Sequence, residues 1–564
     1  EDEVRRAATS TVAGTIRGLE QVGGFGGKAV TLASGEVLAD DPSFYARQFE
    51  ILATLTPGEV QAAMQRWMTR PSFTLVLEPG ERDGSYEEAA GVAEAAGDGD
   101  PAEEVTVTKV RPAPPIDSVA ELDFPEVQHT TLANGMALHY AQRDAIPATY
   151  VTLSFDAGST ADPADKRGLE GLALGLFEEG TTTMSSREIA ETSERLGANI
   201  SLGGGADRSS FTLSALSANL VPSLELLSDI VRNPAFAQSE IDRVRAQRIT
   251  GVEQELRTPS AIAARTISPL IYGAESPYAG PDTGTVASLS AITREDITGF
   301  KDRWIRPDNG AVFVVSDRPL AEIEAALNGV LGDWQAPAVA KGTKSFDAAP
   351  AAPAESRIVL VNRPNSPQSY IYGGQLTSVD PRGETYVDFL NANNALGGNF
   401  LARLNMNLRE TKGWSYGVRG GPQARENAVI YTIGGGVQAD RTGDSVAEMI
   451  REVSEFLTTS GVTDEELTRN VASEIGELPG RFETSGAVLS AMQSLALYGR
   501  PDDYYTQLVG KYEAQTADSL DAAARAALDV EDFVWVVVGD AEQVKPQLEE
   551  LGLPIEVREM EGSE

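Results

Sequence analysis

Arg409 and Tyr416 stand 416 − 409 = 7 residues apart in the stretch Leu408-Arg409-Glu410-Thr411-Lys412-Gly413-Trp414-Ser415-Tyr416-Gly417. A guanidinium and a phenol both donate hydrogen bonds. Held in place, such a pair stabilises negative charge that develops only in a transition state, as on an acyl oxygen under nucleophilic attack. One lost donor of this kind costs a few kcal/mol, roughly 10²-fold in rate. Taken alone, the same two residues also fit a solvated cation at a helix end and a core ring.

Other chemistry is excluded by residue type. The chain has no cysteine and two histidines, His129 and His139. Disulfides, thiolate metal sites and cysteine nucleophiles are therefore ruled out. His139 alternates with Met136, Leu138 and Tyr140, which points it off the apolar face of a strand and toward solvent. Two isolated histidines support neither a zinc cage nor a histidine-based triad. Gly23-Gly24-Phe25-Gly26-Gly27-Lys28 approximates a phosphate loop, but Val22 stands at its first glycine and Ala29 replaces the Ser/Thr. Gly434-Gly435-Gly436 is followed by no helix cap, so it is no dinucleotide fingerprint. Both read as flexible backbone.

The elements that must position Arg409 and Tyr416 repeat along the chain. Thr56, Thr293 and Thr516 each open a helix with acidic residues in its first turn, favoured by capping and by the helix dipole. Each is followed by an apolar β-run: Phe73–Leu77, Ala311–Val315 and Phe533–Val538. Upstream of each lies an acidic helix start, at Asp2, Ser239 and Thr463. The copies are 293 − 56 = 237 and 516 − 293 = 223 residues apart, a period of duplicated domains rather than of a solenoid. The first copy lacks a front half. The expected organisation is therefore the tail of one domain over 1–80, a linker over 81–122, a complete unit over 123–340, a shorter linker over 341–356 and a second complete unit over 357–564. The linkers are predicted from small, acidic and proline-rich composition.

The unit over 123–340 opens on an Asn134-Gly135 hairpin signal. Alternating strands follow at Met136–Tyr140 and Tyr150–Phe155, then helices over Lys166–Glu179 and Ser185–Leu196, then strands Asn199–Leu202 and Ser209–Ala215. Hairpin strands with helices grouped after them predict an α+β fold, an antiparallel-rich sheet with helices packed on it. A net charge of −38, from 84 acidic and 46 basic residues, repels phosphate backbones and argues against nucleic-acid partners. No apolar run approaches the roughly 20 residues of a membrane span. The chain opens on Glu1 without the layout of a signal peptide, and the expectation is that it begins inside a longer precursor.

Two stretches carry a family resemblance. Arg167-Gly168-Leu169-Glu170-Gly171-Leu172-Ala173-Leu174-Gly175-Leu176-Phe177-Glu178-Glu179-Gly180-Thr181 resembles the active-site helix of the insulinase/pitrilysin-type zinc metallopeptidases, whose signature is H-x-x-E-H. Registered on Gly180-Thr181, Gly171 and Gly175 occupy the histidine positions and Leu174 that of the catalytic glutamate. Glycine and leucine supply neither ligand nor base. The family's third ligand is a glutamate on a later helix; Glu253 and Glu255 lie in that neighbourhood and read as helix-surface carboxylates. Leu396 to Gly417 is similar to the family's C-terminal-half motif, in which an arginine and a tyrosine reach a zinc site in the other half and hydrogen-bond the substrate carbonyl. Asn134-Gly135, Ser276-Pro277-Tyr278, Gly284, Arg306-Pro307-Asp308-Asn309 and Val538-Gly539-Asp540 match further family landmarks.

The resemblance implies repeated mitochondrial-processing-peptidase-like domains. It implies the non-catalytic C-terminal portion of a zinc metalloendopeptidase that degrades or processes peptides in an enclosed chamber, with Arg409 and Tyr416 contacting the substrate carbonyl. No metal or cofactor is expected in this chain; zinc is expected in an H-x-x-E-H-bearing N-terminal half, on the same precursor or a separate subunit. Peptide substrates and a periplasmic location are implied likewise. The competing expectation is a catalytically inactive structural or peptide-binding subunit.

Overall fold

The computed structural model describes residues 1–76, 120–346 and 356–560. The linker expected over 81–122 lies outside the described residues up to 119, as do 347–355 of the second linker and Leu77 of the first β-run. Strands β1 (Val127–Thr131), β2 (Ala137–Gln142), β3 (Ala148–Phe155), β4 (Asn199–Gly204), β5 (Ser209–Leu216) and β6 (Gly310–Ser316) form one sheet in the order β1-β2-β6-β3-β5-β4. Strands β7 (Arg357–Asn362), β8 (Gln368–Thr377), β9 (Ser415–Ala424), β10 (Val429–Gln438), β11 (Val534–Gly539) and β12 (Ile555–Glu559) form a second, ordered β12-β7-β11-β8-β10-β9. Pairing is antiparallel except β2 with β6 and β7 with β11 and β12. The α+β, antiparallel-rich expectation therefore holds.

Local chemistry explains most boundaries. Asn134-Gly135 turns β1 into β2, with Gly135 at φ +89 and Leu132 N–H donating to Met136 O. Thr56, Thr293 and Thr516 each cap a helix (Pro57–Met68, Arg294–Trp304, Ala517–Ala527) by a reciprocal capping box. The last two lead into β6 and β11, valine-rich strands inserted in the middle of their sheets and buried on both faces.

Two expectations fail. Phe73–Val76 is not a strand, and Phe73 is 91% exposed. A lone strand has nowhere to place its backbone hydrogen bonds, and no described strand flanks this stretch. The helix expected over Lys166–Glu179 covers only Leu169–Leu174. Gly168 enters it at φ +87, and glycines at 171 and 175 weaken any continuation.

The two sheets are bolted together by exchanged helices. Pro259–Tyr272 leaves the first sheet and sets Ile262, Ile267 and Ile271 against Val359, Val361, Val536 and Val538 of the second. Ser485–Leu497 makes the return crossing, with Val488, Leu489 and Met492 against Phe313 and Val315. The N-terminal segment leans on both. Arg17 donates to the carbonyls of Gly197 and Ser214, and buried Glu20 accepts from Ser485 N–H at 2.8 Å and pairs with Arg143 at 3.4 Å. Beyond it, helices Lys28–Ala39, Phe44–Thr54 and Pro57–Met68 bury one residue between them, Gly35, and leave Val37, Leu38, Ile51, Met64 and Met68 exposed.

Candidate functional site

Helix Leu169–Leu174 starts from a carboxylate cap. Asp162 Oδ2 accepts from Gly168 N–H and Oδ1 from Glu170 N–H, both at 2.8 Å. Burial pushes the Asp162 carboxyl up to about 8, against those two hydrogen bonds. Glu170 then points inward, its Oε1 accepting a hydrogen bond from Ser209 Oγ at 2.7 Å. Burial pushes Glu170 up to about 7, opposed by the Ser209 bond and the Arg248 charge. It fits because residue 204 has no side chain: a methyl there would lie 1.9 Å from Glu170 Oε1.

On helix Gln238–Glu255, Arg248 reaches over Gly171 and Gly175. A methyl at 171 would sit 2.8 Å from Arg248 Nη1, and one at 175 would sit 3.4 Å from Nη2. Burial pulls the Arg248 guanidinium below its ordinary value, opposed by the Glu170 charge. Leu174 is buried in the core of the first unit. A cavity of about 300 Å³ opens beside these groups, bounded also by Glu178, Gly204, Gly205 and Asp282. The donor set does not fit zinc: Gly171, Leu174 and Gly175 offer no ligand atom, and a cation already lies across the glycines. Among the described residues no His/Cys/Asp/Glu group is arranged to hold a metal ion. Neither glutamate expected near the third-ligand position faces the cavity as a ligand. Glu253 is exposed, and Glu255 accepts from Arg265 at 2.8 Å and Thr283 at 2.9 Å.

Sequence reasoning missed Arg248, and a signal for it existed. Ile241, Val244 and Val252 form the buried stripe of its helix, and position 248 falls on that same face by helical spacing. A cation in an apolar stripe, opposite glycines at i and i+4, marks a guanidinium laid into a groove.

The histidines are not isolated. They face each other across β1 and β2, Nδ1 to Nδ1 at 3.0 Å, and His129 Nε2 lies 2.8 Å from Asp502 Oδ2 of the second unit. His139 is half-buried rather than solvent-facing, stacked on Phe313 with ring centroids 4.7 Å apart. It packs because β2 pairs directly with β6, setting His139 opposite Phe313.

Arg409 and Tyr416 flank a turn in the second unit. Arg409 lies within a π-helical stretch, Met406–Thr411, and its guanidinium lies 4.6 Å from the centroid of the Phe400 ring, with Nε 3.3 Å from Glu410 Oε1. Tyr416 opens edge strand β9 and is 90% exposed. It sits in a bulge: Ser415 opposes Val437 and Val418 opposes Gly435, leaving Tyr416 and Gly417 against Gly436. The bulge is pinned from within. Ser415 Oγ donates to Gly436 O at 2.7 Å, and buried Asn405 accepts from Val418 N–H while donating to Phe400 O.

The structure keeps this pair apart from Gly171, Leu174 and Gly175. Just beyond β9, Arg425 lies 3.9 Å from Asp282 of the cavity wall. Tyr416 is 425 − 416 = 9 residues back along extended chain, roughly 30 Å at strand spacing.

A family model described as Insulinase (Peptidase family M16) matches residues 140–269, and one described as Peptidase M16 inactive domain matches 291–473. The chain is 21% identical over 415 residues to a protein of Bacillus subtilis named as the uncharacterized zinc protease YmxG, covering 73% of this chain and 98% of that protein. It is 20% identical to a Helicobacter pylori protein named Non-peptidase homolog YmxG, covering 72% and 92%. In fold it is similar to a peptidase M16 inactive domain from Pseudomonas fluorescens, with TM-score 0.68, 23% identity, and coverage of 74% of this chain and 98% of that one. It is also similar to the periplasmic protease PqqL from Escherichia coli, with TM-score 0.64, 14% identity, and coverage of 87% of this chain and 52% of that one.

Proposed function

Because the chain belongs to the insulinase family, peptidase M16, we propose that it is the non-catalytic portion of a zinc metalloendopeptidase and presents Arg409 and Tyr416 to a zinc site on a separate H-x-x-E-H-bearing half. The observation that carries this reading is Tyr416, 90% exposed on a bulged edge strand with its backbone anchored on both sides. A tyrosine kept in water by a built support is placed to meet something outside the chain. In this reading the Tyr416 phenol and the Arg409 guanidinium would donate to a substrate carbonyl as it becomes an oxyanion. Zinc on the partner half would supply an activated water.

In this reading residues 1–80 close a preceding domain, and 123–340 and 357–564 are the two complete units. The exposed apolar faces of helices Lys28–Ala39, Phe44–Thr54 and Pro57–Met68 support it: unpaired apolar surface of this extent marks an interface. The likeness to PqqL reaches 87% of this chain and 52% of that one. Extended peptides in an enclosed chamber are the proposed substrates and the periplasm the proposed location, the latter supported by that protein's printed description.

The test is Tyr416→Phe in the assembled enzyme. It should lower kcat about 10²-fold while KM moves little; an unchanged kcat sinks the assignment. The second reading, an inactive structural or peptide-binding subunit, is favoured by the name of the Helicobacter pylori relative. Under it, neither Arg409 nor Tyr416 affects any turnover.

A further inference from the structure

We propose that the cavity between helices Leu169–Leu174 and Gln238–Glu255 and the end of β4 binds the C-terminal end of a peptide, its carboxylate on Arg248 and its last backbone N–H on Glu178. The site stands apart from the Arg409/Tyr416 reading and does not depend on it.

Four charged side chains line this cavity: Glu170, Glu178, Arg248 and Asp282. Two are already engaged. Glu170 holds the Ser209 hydroxyl; Asp282 accepts from Ser159 Oγ at 2.8 Å and has Arg425 at 3.9 Å. Arg248 and Glu178 make no hydrogen bond or ion pair with the described residues, although both are partly buried. A partly buried guanidinium or carboxylate without a hydrogen-bonding partner is costly, and although the Glu170 charge acts on Arg248, one donor and one acceptor are left open on the same cavity. A planar guanidinium matches a carboxylate through two parallel N–H bonds. The terminal residue of a peptide chain offers a carboxylate and its own backbone N–H; a simple acid offers only the first. Gly171, Gly175, Gly204 and Gly205 leave bare backbone on the remaining walls, so a chain can approach closely. The volume, about 300 Å³, suits a terminal residue rather than a long segment.

The ionisation of the walls gives the site a pH signature. Burial pushes Glu170 up to about 7 and pushes Glu178 upward too, with Glu179 adding to the latter, while Asp162 lies behind Glu170. A carboxylate arriving beside them favours their protonated forms, so binding takes up protons and tightens as pH falls through 7.

Isothermal titration calorimetry on the full chain tests this with acetyl-trialanine bearing a free carboxylate, its C-terminal amide, and sodium acetate, at about pH 6 and about pH 8. The free acid should bind at least ~10-fold tighter than the amide and than acetate, and tighter at the lower pH. Arg248→Gln should remove the preference for the acid while leaving binding of the amide as it was. Gly171→Ala, which crowds the guanidinium without deleting it, should weaken the acid and leave the amide unchanged. Equal binding of acid and amide, acetate as tight as the peptide, or an undiminished preference in both variants each overturns the proposal.

Discussion

At the residue scale, the cavity beside Gly171 and Gly175 has two buried carboxyls near it whose protonation couples to folding. Asp162 rises from 3.8 to about 8 and Glu170 from 4.5 to about 7, burial being the larger cause in both. Their folded values lie above the unfolded ones, so the folded chain binds more protons across this window. Their stabilising contribution is complete below about pH 4 and is lost as pH rises through 7 and 8. Glu170→Gln keeps an acceptor for Ser209 but cannot titrate. In thermal melts from about pH 5 to about pH 8 it should show a shallower decline in Tm than the parent chain; an identical slope would mean that Glu170 is ionised throughout. Residue types show that Gly171, Leu174 and Gly175 offer no ligand atom. The guanidinium lying over the glycines was not visible that way, because Arg248 is brought to them by the packing of a helix distant in sequence.

At the scale of elements, capped helices and hairpins were legible because a few neighbouring residues decide them. Thr293 and Asp296 exchange side-chain and backbone hydrogen bonds within one turn, and Asn134-Gly135 turns a hairpin whatever lies beyond it. Elements whose existence depends on partners were not legible: Phe73–Val76 reads as a strand yet pairs with no strand among the described residues. The bulge beneath Tyr416 is intermediate, since its glycines are visible but its pin, Asn405, lies ten positions before Ser415 (415 − 405 = 10) on another element. Asn405 satisfies the Phe400 carbonyl at 2.7 Å and the Val418 amide at 3.3 Å. Asn405→Ala orphans both, at about 1–3 kcal/mol for a buried polar group left unpaired. Chemical denaturation should show a loss of about 2 kcal/mol, and amide exchange at Val418 should accelerate. Protection as strong as in the parent chain would show that β10 alone holds the bulge.

At the scale of the whole molecule, the repeat spacing raises the expectation of two similar units but carries nothing on how the two six-stranded sheets join. Periodicity identifies the buried stripe of Pro259–Tyr272 or Ser485–Leu497; it does not say which sheet covers that stripe. Each helix in fact crosses to the sheet of the other unit. Consequently the outer face of the first sheet, with Phe313 and Val315, is dry only while the second unit is folded, and the reverse holds for Val359 and Val536. This couples the units more tightly than a linker would, since unfolding one strips an apolar face from the other. Met492→Ala on one crossing helix and Ile267→Ala on the other should each cost about 2–5 kcal/mol, as buried large-to-small changes do. Their signature is what separates exchange from ordinary packing. Either substitution should lower a single calorimetric transition shared by both units, although each removes side-chain volume from one helix alone. Two resolved transitions, with only one displaced by each substitution, would mean that the units fold independently and the crossing helices merely touch.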